Sequence, residues 1–238
     1  MVKVNRKEFA LLSFGVFSIC LVAILFYNAV DNSLSQIDEQ YISKYLVKVR
    51  SLPEKSTYED EVNFIISVQH AVLNVAPRNE GIPFGQKREP KELYEAKMGL
   101  CFDRSRVIGK ILRYSGFDVR HVFMLSKEKT GSAMKAIMTV GAPSHAVTEV
   151  LTKNGWLIVD SNAHWVSMDA EGRPISMEKI QYGVEHSVLV RWGMEPPSTI
   201  YAKPFTFVYG LYSRHGYFYP PYNVIPDVNY VELLQNVL

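Results

Sequence analysis

The sequence predicts an α+β fold with helices packed on an antiparallel sheet. Three observations carry that prediction. From residue 31 to 114, apolar residues recur at three- and four-residue steps, punctuated by capping residues and prolines. From 117 to 160 the pattern changes to short β-rich runs broken by turn residues. Helices first and strands afterwards is the α+β order. The chain has 238 residues and is 47% hydrophobic, enough to bury one medium core. Its formal net charge is +2 and its basic residues are scattered, so no nucleic-acid partner is expected.

Lys3, Arg6 and Lys7 precede an uncharged run from Phe9 to Val30. About 20 apolar residues suffice to cross a hydrocarbon core. The run is therefore expected to form an N-terminal transmembrane helix, with membrane attachment through residues 9–30. The basic residues before it put the N-terminus in the cytoplasm and the rest outside, as a single-pass protein of the cytoplasmic (inner) membrane. A cleaved signal peptide fits less well, because Ala29 at −1 leaves Tyr27 at −3, where a small residue belongs. Cys20 follows bulky Ile19, which argues against a lipoprotein site. The expected organisation is 1–30 as cytoplasmic tip and anchor, 31–55 as a membrane-proximal helix, and 56–238 as the domain.

Leu34, Ile37, Tyr41, Ile42 and Tyr45 make one helical stripe, ended by Pro53. Ser56-Thr57-Tyr58-Glu59 reads as a capping box. The helix it opens carries Val62, Ile65, Ile66, Val68 (or Gln69) and Leu73 on its buried side and stops at Pro77. Residues 78–89 form a loop. Pro90 suits a first helical turn, and a short helix follows until Gly99 breaks it. A second helix runs from Cys101 to Tyr114 on Val107, Ile108, Ile111 and Leu112, with Gly116 as its stop. Strands are expected at 117–125, 134–140, 145–151 and 156–160, with a hairpin turn at Lys153-Asn154-Gly155. A helix starts near Met177, and strand-like runs follow at 187–192 and 205–209. The tail from Tyr212 to Pro226 is too aromatic for disorder and too rich in proline for a central strand. It is expected to wrap the domain as an ordered extended segment.

Cys101 is the only cysteine outside the N-terminal apolar run, and it opens a helix. A helix N-terminus favours an anionic sulfur and offers free N–H groups to an oxyanion. The plainer role is a small buried hydrophobe. His145 opens a strand after a Gly-Ala-Pro turn, and Asp160 ends the returning strand. A Lys153-Asn154 turn puts Asp160 opposite Val147 and diagonal to His145, about 7–8 Å apart in backbone. An Asn154-Gly155 turn puts it opposite Glu149, out of reach. The sequence leaves both registers open. His164 is the runner-up base. No metal-ligand spacing, phosphate loop or dinucleotide fingerprint is present, so no metal and no cofactor are expected.

Taken together, Gly99-Leu100-Cys101-Phe102-Asp103, His145-Ala146-Val147-Thr148-Glu149-Val150 and Gly155-Trp156 leading to Asp160 resemble the transglutaminase-like superfamily. The resemblance covers roughly Leu93 to Asp160. It implies a papain-like site in which Cys101 is the nucleophile, His145 the base and Asp160 its orienter. Two positions depart from the family pattern: Val147 stands where Trp is frequent and Ser161 where Pro is frequent. The resemblance further implies thiol-dependent acyl transfer, or hydrolysis of amides or peptides, on a protein or peptide substrate of the cell envelope. It puts the oxyanion against the backbone N–H of Cys101 and an upstream donor, for which Tyr94 is the candidate. The family also holds inactive members. A binding or scaffold module of an envelope or polysaccharide assembly, using the same cleft and envelope partners, is the alternative.

Overall fold

The computed structural model describes residues 6–83, 85–213 and 226–237, with side chains from residue 11 onward. Five helices come first: α1 (Arg6–Tyr27), α2 (Gln36–Leu46), α3 (Tyr58–Val75), α4 (Pro90–Ala96) and α5 (Cys101–Tyr114). β1 (Val119–Ser126), α6 (Ala133–Met138), β2 (Ser144–Thr152) and β3 (Gly155–Val159) follow. Then come α7 (Met177–Glu185), a 3-10 turn (Thr199–Tyr201), β4 (Phe205–Tyr209), β5 (Leu211–Ser213), β6 (Asp227–Val228) and α8 (Tyr230–Leu234). The main sheet has the order β3-β2-β1-β4, with every neighbour antiparallel. The α+β layout read from the sequence is thus the observed one.

Local chemistry explains the helix starts. Ser35 and Asp38 form the capping box of α2, and Thr57 and Asp60 that of α3, one residue later than the sequence box implied. Pro90 occupies the first turn of α4. Lys97 closes α4 in the left-handed region, at φ 56°.

The sheet is covered on both faces. On one, Ile65, Val68 and Val72 of α3 and Ile108 and Ile111 of α5 pack on Val150 and Leu157. On the other, Val147 and Ile158 meet Trp165, Ile180 and Tyr201. Burying each large aliphatic side chain contributes about 1.5–3 kcal/mol. The polar side chains of α5 are buried as well, and they have partners. Arg106 pairs with Glu89, and Lys110 with Asp38 and Glu89. These contacts bind α5 to α2 and to the start of α4.

Three expectations are corrected. No helix among the described residues is long and apolar enough to cross a membrane, which overturns the expected N-terminal transmembrane helix. The apolar run does not stay helical to Val30. The helix ends at Tyr27, and the next residues turn into the domain: Val30 N–H donates to Val228 O, and Val228 N–H to Asn28 O. At its other end α1 opens on Arg6, Lys7 and Glu8. Residues 134–140 are not a strand. Ser132 caps a helical turn there by accepting from Lys135 N–H, and Ala, Met and Lys sustain it. The strand-like run at 187–192 forms no strand, and its only described pairing is an isolated bridge from Trp192 to Asp169. Most of the expected aromatic wrap at 212–226 lies outside the described residues.

Candidate active site

α5 starts at Cys101 because its first turn is fixed from two sides. Leu100, at the cap position, is extended, and its N–H donates to Asp103 Oδ2 at 2.9 Å. Asp103 Oδ1 accepts from Arg88 Nη1 at 3.0 Å, and the same Arg88 nitrogen holds Ile82 O at 2.7 Å. Burial pushes the Asp103 carboxyl above its ordinary value, with Arg88 pulling against it. The residue before the cap must be small. A Cβ on Gly99 would lie 2.6 Å from Leu93 Cδ1 and 3.2 Å from Asp103 Cβ. That packing is the physical reason for the glycine in the Gly-x-Cys motif. Cys101 is then a half-buried free thiol at the first position of α5.

The β2–β3 pairing settles the open register. Thr152 stands opposite Gly155 and Thr148 opposite Val159, so Lys153-Asn154 is the turn. Asp160 follows the last pair directly and lies diagonal to His145. His145 Nε2 and Asp160 Oδ2 are 2.8 Å apart. The Cys101 sulfur lies near enough to the His145 ring to favour its charged form. Burial by itself would lower the affinity of His145 for its second proton. The hydrogen bond to Asp160 and the charges of Asp160 and Cys101 outweigh burial, and the pKa is raised to about 10.

Asp160 is held on all sides. Oδ1 accepts from the backbone N–H of Asn162 at 2.7 Å and of Ala163 at 2.9 Å. Oδ2 accepts from Tyr201 Oη at 2.8 Å as well as from His145. Burial works to raise its pKa, but these donors and the His145 charge prevail and hold it below the usual carboxylate range. Gln69 fixes the loop beneath: its Nε2 donates to Asp160 O, Ala163 O and Trp165 O at 2.7, 3.0 and 2.8 Å. Arg104, one turn after Cys101, ties α5 to the same loop. Its Nη1 reaches Asn162 Oδ1 at 2.8 Å, and its Nε and Nη2 hold Ala76 O and Arg78 O.

The two departures from the family pattern have local explanations. Ser161 donates to Ala146 O at 2.6 Å, stitching the Asp160 loop to the residue after His145. Val147 belongs to the core layer shared with Trp165 and Tyr201. Beside His145 and Asp160 opens a cleft of about 480 Å³, with Ser144, Asn162, Thr199 and Lys203 among its walls. A larger hollow of about 700 Å³, near Asp169, Arg173 and Arg191, contains none of the three site residues.

The structure therefore brings Cys101, His145 and Asp160 together. The described ring contacts of Tyr94 are with Tyr41, Tyr45, Lys44 and Lys97. His164 lies edge-on to His70, with centroids 4.2 Å apart. Tyr201, Gln69 and Arg104 were missed as site residues. Tyr201 falls in an irregular stretch with no periodic signal, and Gln69 and Arg104 read only as helix positions. Among the described residues no group of three or more His, Cys, Asp or Glu is arranged to hold a metal ion.

A cysteine at a helix start, a histidine opening a strand and an aspartate bonded to its ring are similar to the arrangement of the papain-like thiol class. Residues 53–161 match the sequence profile of the transglutaminase-like superfamily. The match spans all three site residues, and it stops short of Tyr201. Among curated proteins, none matches the chain in sequence.

Proposed function

We propose that this chain is a transglutaminase-like thiol enzyme acting on amides of a protein or peptide, through Cys101, His145 and Asp160. One observation carries the reading: a buried imidazole is bonded to Asp160 through one nitrogen and has the Cys101 sulfur close enough to favour its charged form. At neutral pH a His145 with a pKa near 10 holds its second proton. The sulfur attacks the carbonyl carbon, and the oxyanion meets the N–H groups at the start of α5. The C–N bond breaks, the imidazolium gives its proton to the departing amine, and a thioester remains. Water then attacks the thioester, passing a proton to His145, and frees the acid and the Cys101 thiolate. An amine in place of water yields a new amide. Asp160 keeps the ring in the tautomer that makes both transfers possible.

Alkylation tests the reading. Iodoacetamide is expected to label Cys101 near neutral pH at least about tenfold faster than it labels Cys101 in His145→Ala. Equal rates, no faster than a free thiol, would instead favour a binding module with a silent cleft. Cys101→Ala is expected to abolish turnover of any peptide amide that the wild-type protein processes. Mass analysis with and without an added primary amine separates hydrolysis from acyl transfer.

A further inference from the structure

Tyr201 lies outside the superfamily match, yet its hydroxyl makes the fourth hydrogen bond to the Asp160 carboxylate. An ionised carboxylate offers about four acceptor positions. Two go to the backbone N–H groups of Asn162 and Ala163 on Oδ1, and the other two go to His145 and Tyr201 on Oδ2. His145 and Tyr201 thus share one oxygen. The Tyr201 ring is 1% exposed, packs on Trp165 at 5.0 Å, and lies edge-on to the His145 ring at 6.1 Å. Burial and the neighbouring Asp160 charge keep its phenol neutral, so it remains a donor wherever His145 titrates.

We propose that Tyr201 is a positioning residue of the triad, whose hydroxyl divides the charge on Asp160 Oδ2 and so keeps His145 able to release its proton. This inference rests on the acyl-transfer reading above. An Asp160 oxygen given wholly to His145 would bind the imidazolium more tightly. A base that cannot let go of its proton cannot serve the leaving amine. Hydrogen bonds to charged groups are strong enough for this sharing to matter in a buried site.

The test uses iodoacetate, an anionic alkylating agent whose reaction with the Cys101 thiolate is assisted by a protonated His145. The rate should rise and then fall with pH, and the alkaline fall reports loss of the His145 proton. Tyr201→Phe keeps the ring in its packing and removes only the hydroxyl. It is expected to shift the alkaline midpoint upward by about half a unit to one unit. Trp165→Phe leaves the hydroxyl in place and is expected to leave the midpoint unmoved, although it loosens the same core. Should Tyr201→Phe fail to fold, 3-fluorotyrosine at position 201, a stronger donor of nearly the same shape, is expected to move the midpoint downward. A midpoint that stays put in the folded variant overturns the role of Tyr201, and so does one that shifts equally in Trp165→Phe. A wild-type profile with no alkaline fall overturns the triad reading itself, and this inference with it.

Discussion

Thr152 stands opposite Gly155 across the β2–β3 ladder, and that pairing sets how far Asp160 lies from His145. With Lys153-Asn154 as the turn, Thr148 pairs with Val159, and Asp160 emerges within 2.8 Å of the His145 ring. Shifting the turn by one residue would turn Asp160 toward Glu149. That shift keeps Asp160 on the same face but moves it two residues further along β2 from His145, so register decides whether the base has an orienter at all.

Asp160→Asn is expected to cut turnover by about 10²–10⁴-fold while leaving the fold intact. The amide is nearly the shape of the carboxylate, but it carries no charge for an imidazolium and can donate where Asp160 accepts. Steady-state kinetics beside a thermal melt separates the two effects. Turnover within a few-fold of wild type would show that Asp160 does not orient His145.

The His145–Asp160 pair also ties stability to pH. The folded pKa of His145 is raised from an ordinary 6.5 to about 10, so the folded state binds more protons than the unfolded one between those values. This contribution is fully present below pH 6.5 and is lost as pH rises toward 10. Asp160 has a lowered pKa, so its contribution is present above 3.8 and is lost as pH falls through its folded value. Tm is therefore expected to fall more steeply between pH 7 and 10 in the wild type than in His145→Gln. Parallel curves would remove the linkage.

Gly99→Ala is expected to displace the start of α5, because the new methyl meets the fully buried Leu93 and Asp103 side chains. Overpacking of this kind costs about 1–3 kcal/mol. It should also slow Cys101 alkylation, since the thiol sits two residues later. Adding Leu93→Ala makes room and is expected to restore part of the alkylation rate. If the double variant alkylates no faster than Gly99→Ala, the close approach is not what places Cys101.

Arg104→Met is expected to destabilise the protein by about 2–5 kcal/mol. The change leaves Ala76 O and Arg78 O without their guanidinium donor and cuts the link to Asn162. Arg104→Lys is expected to recover little, because one ammonium cannot span three directions as a planar guanidinium does. Denaturant unfolding measures both. A loss under about 0.5 kcal/mol in Arg104→Met would show that α5 and the Asp160 loop are held by other contacts.

Much of the helical half was legible because its signals are local. The capping box near Thr57, Pro90 at a first turn and the stripe through Val107, Ile108 and Ile111 each act within a few residues. Residues 134–140 misled because a short apolar run fits either period, and Ser132 capping decided it. In the N-terminal run, hydropathy did not mark where the helix ends, at Tyr27. Val228 takes Asn28 and Val30 out of the helix.

The sequence by itself determined the residue types of the site and their order along the chain. Cys101 opens a helix, His145 opens a strand, and Asp160 ends the strand that returns. Tertiary structure decided which of two hairpin registers brings Asp160 to His145, and it supplied Tyr201, Gln69 and Arg104 around them. The reason is physical: caps and periodicity are written in neighbouring residues, whereas a buried carboxylate is satisfied by donors from wherever the fold brings them. Asp160 takes its donors from its own loop, from β2 and from a turn 41 residues further along the chain.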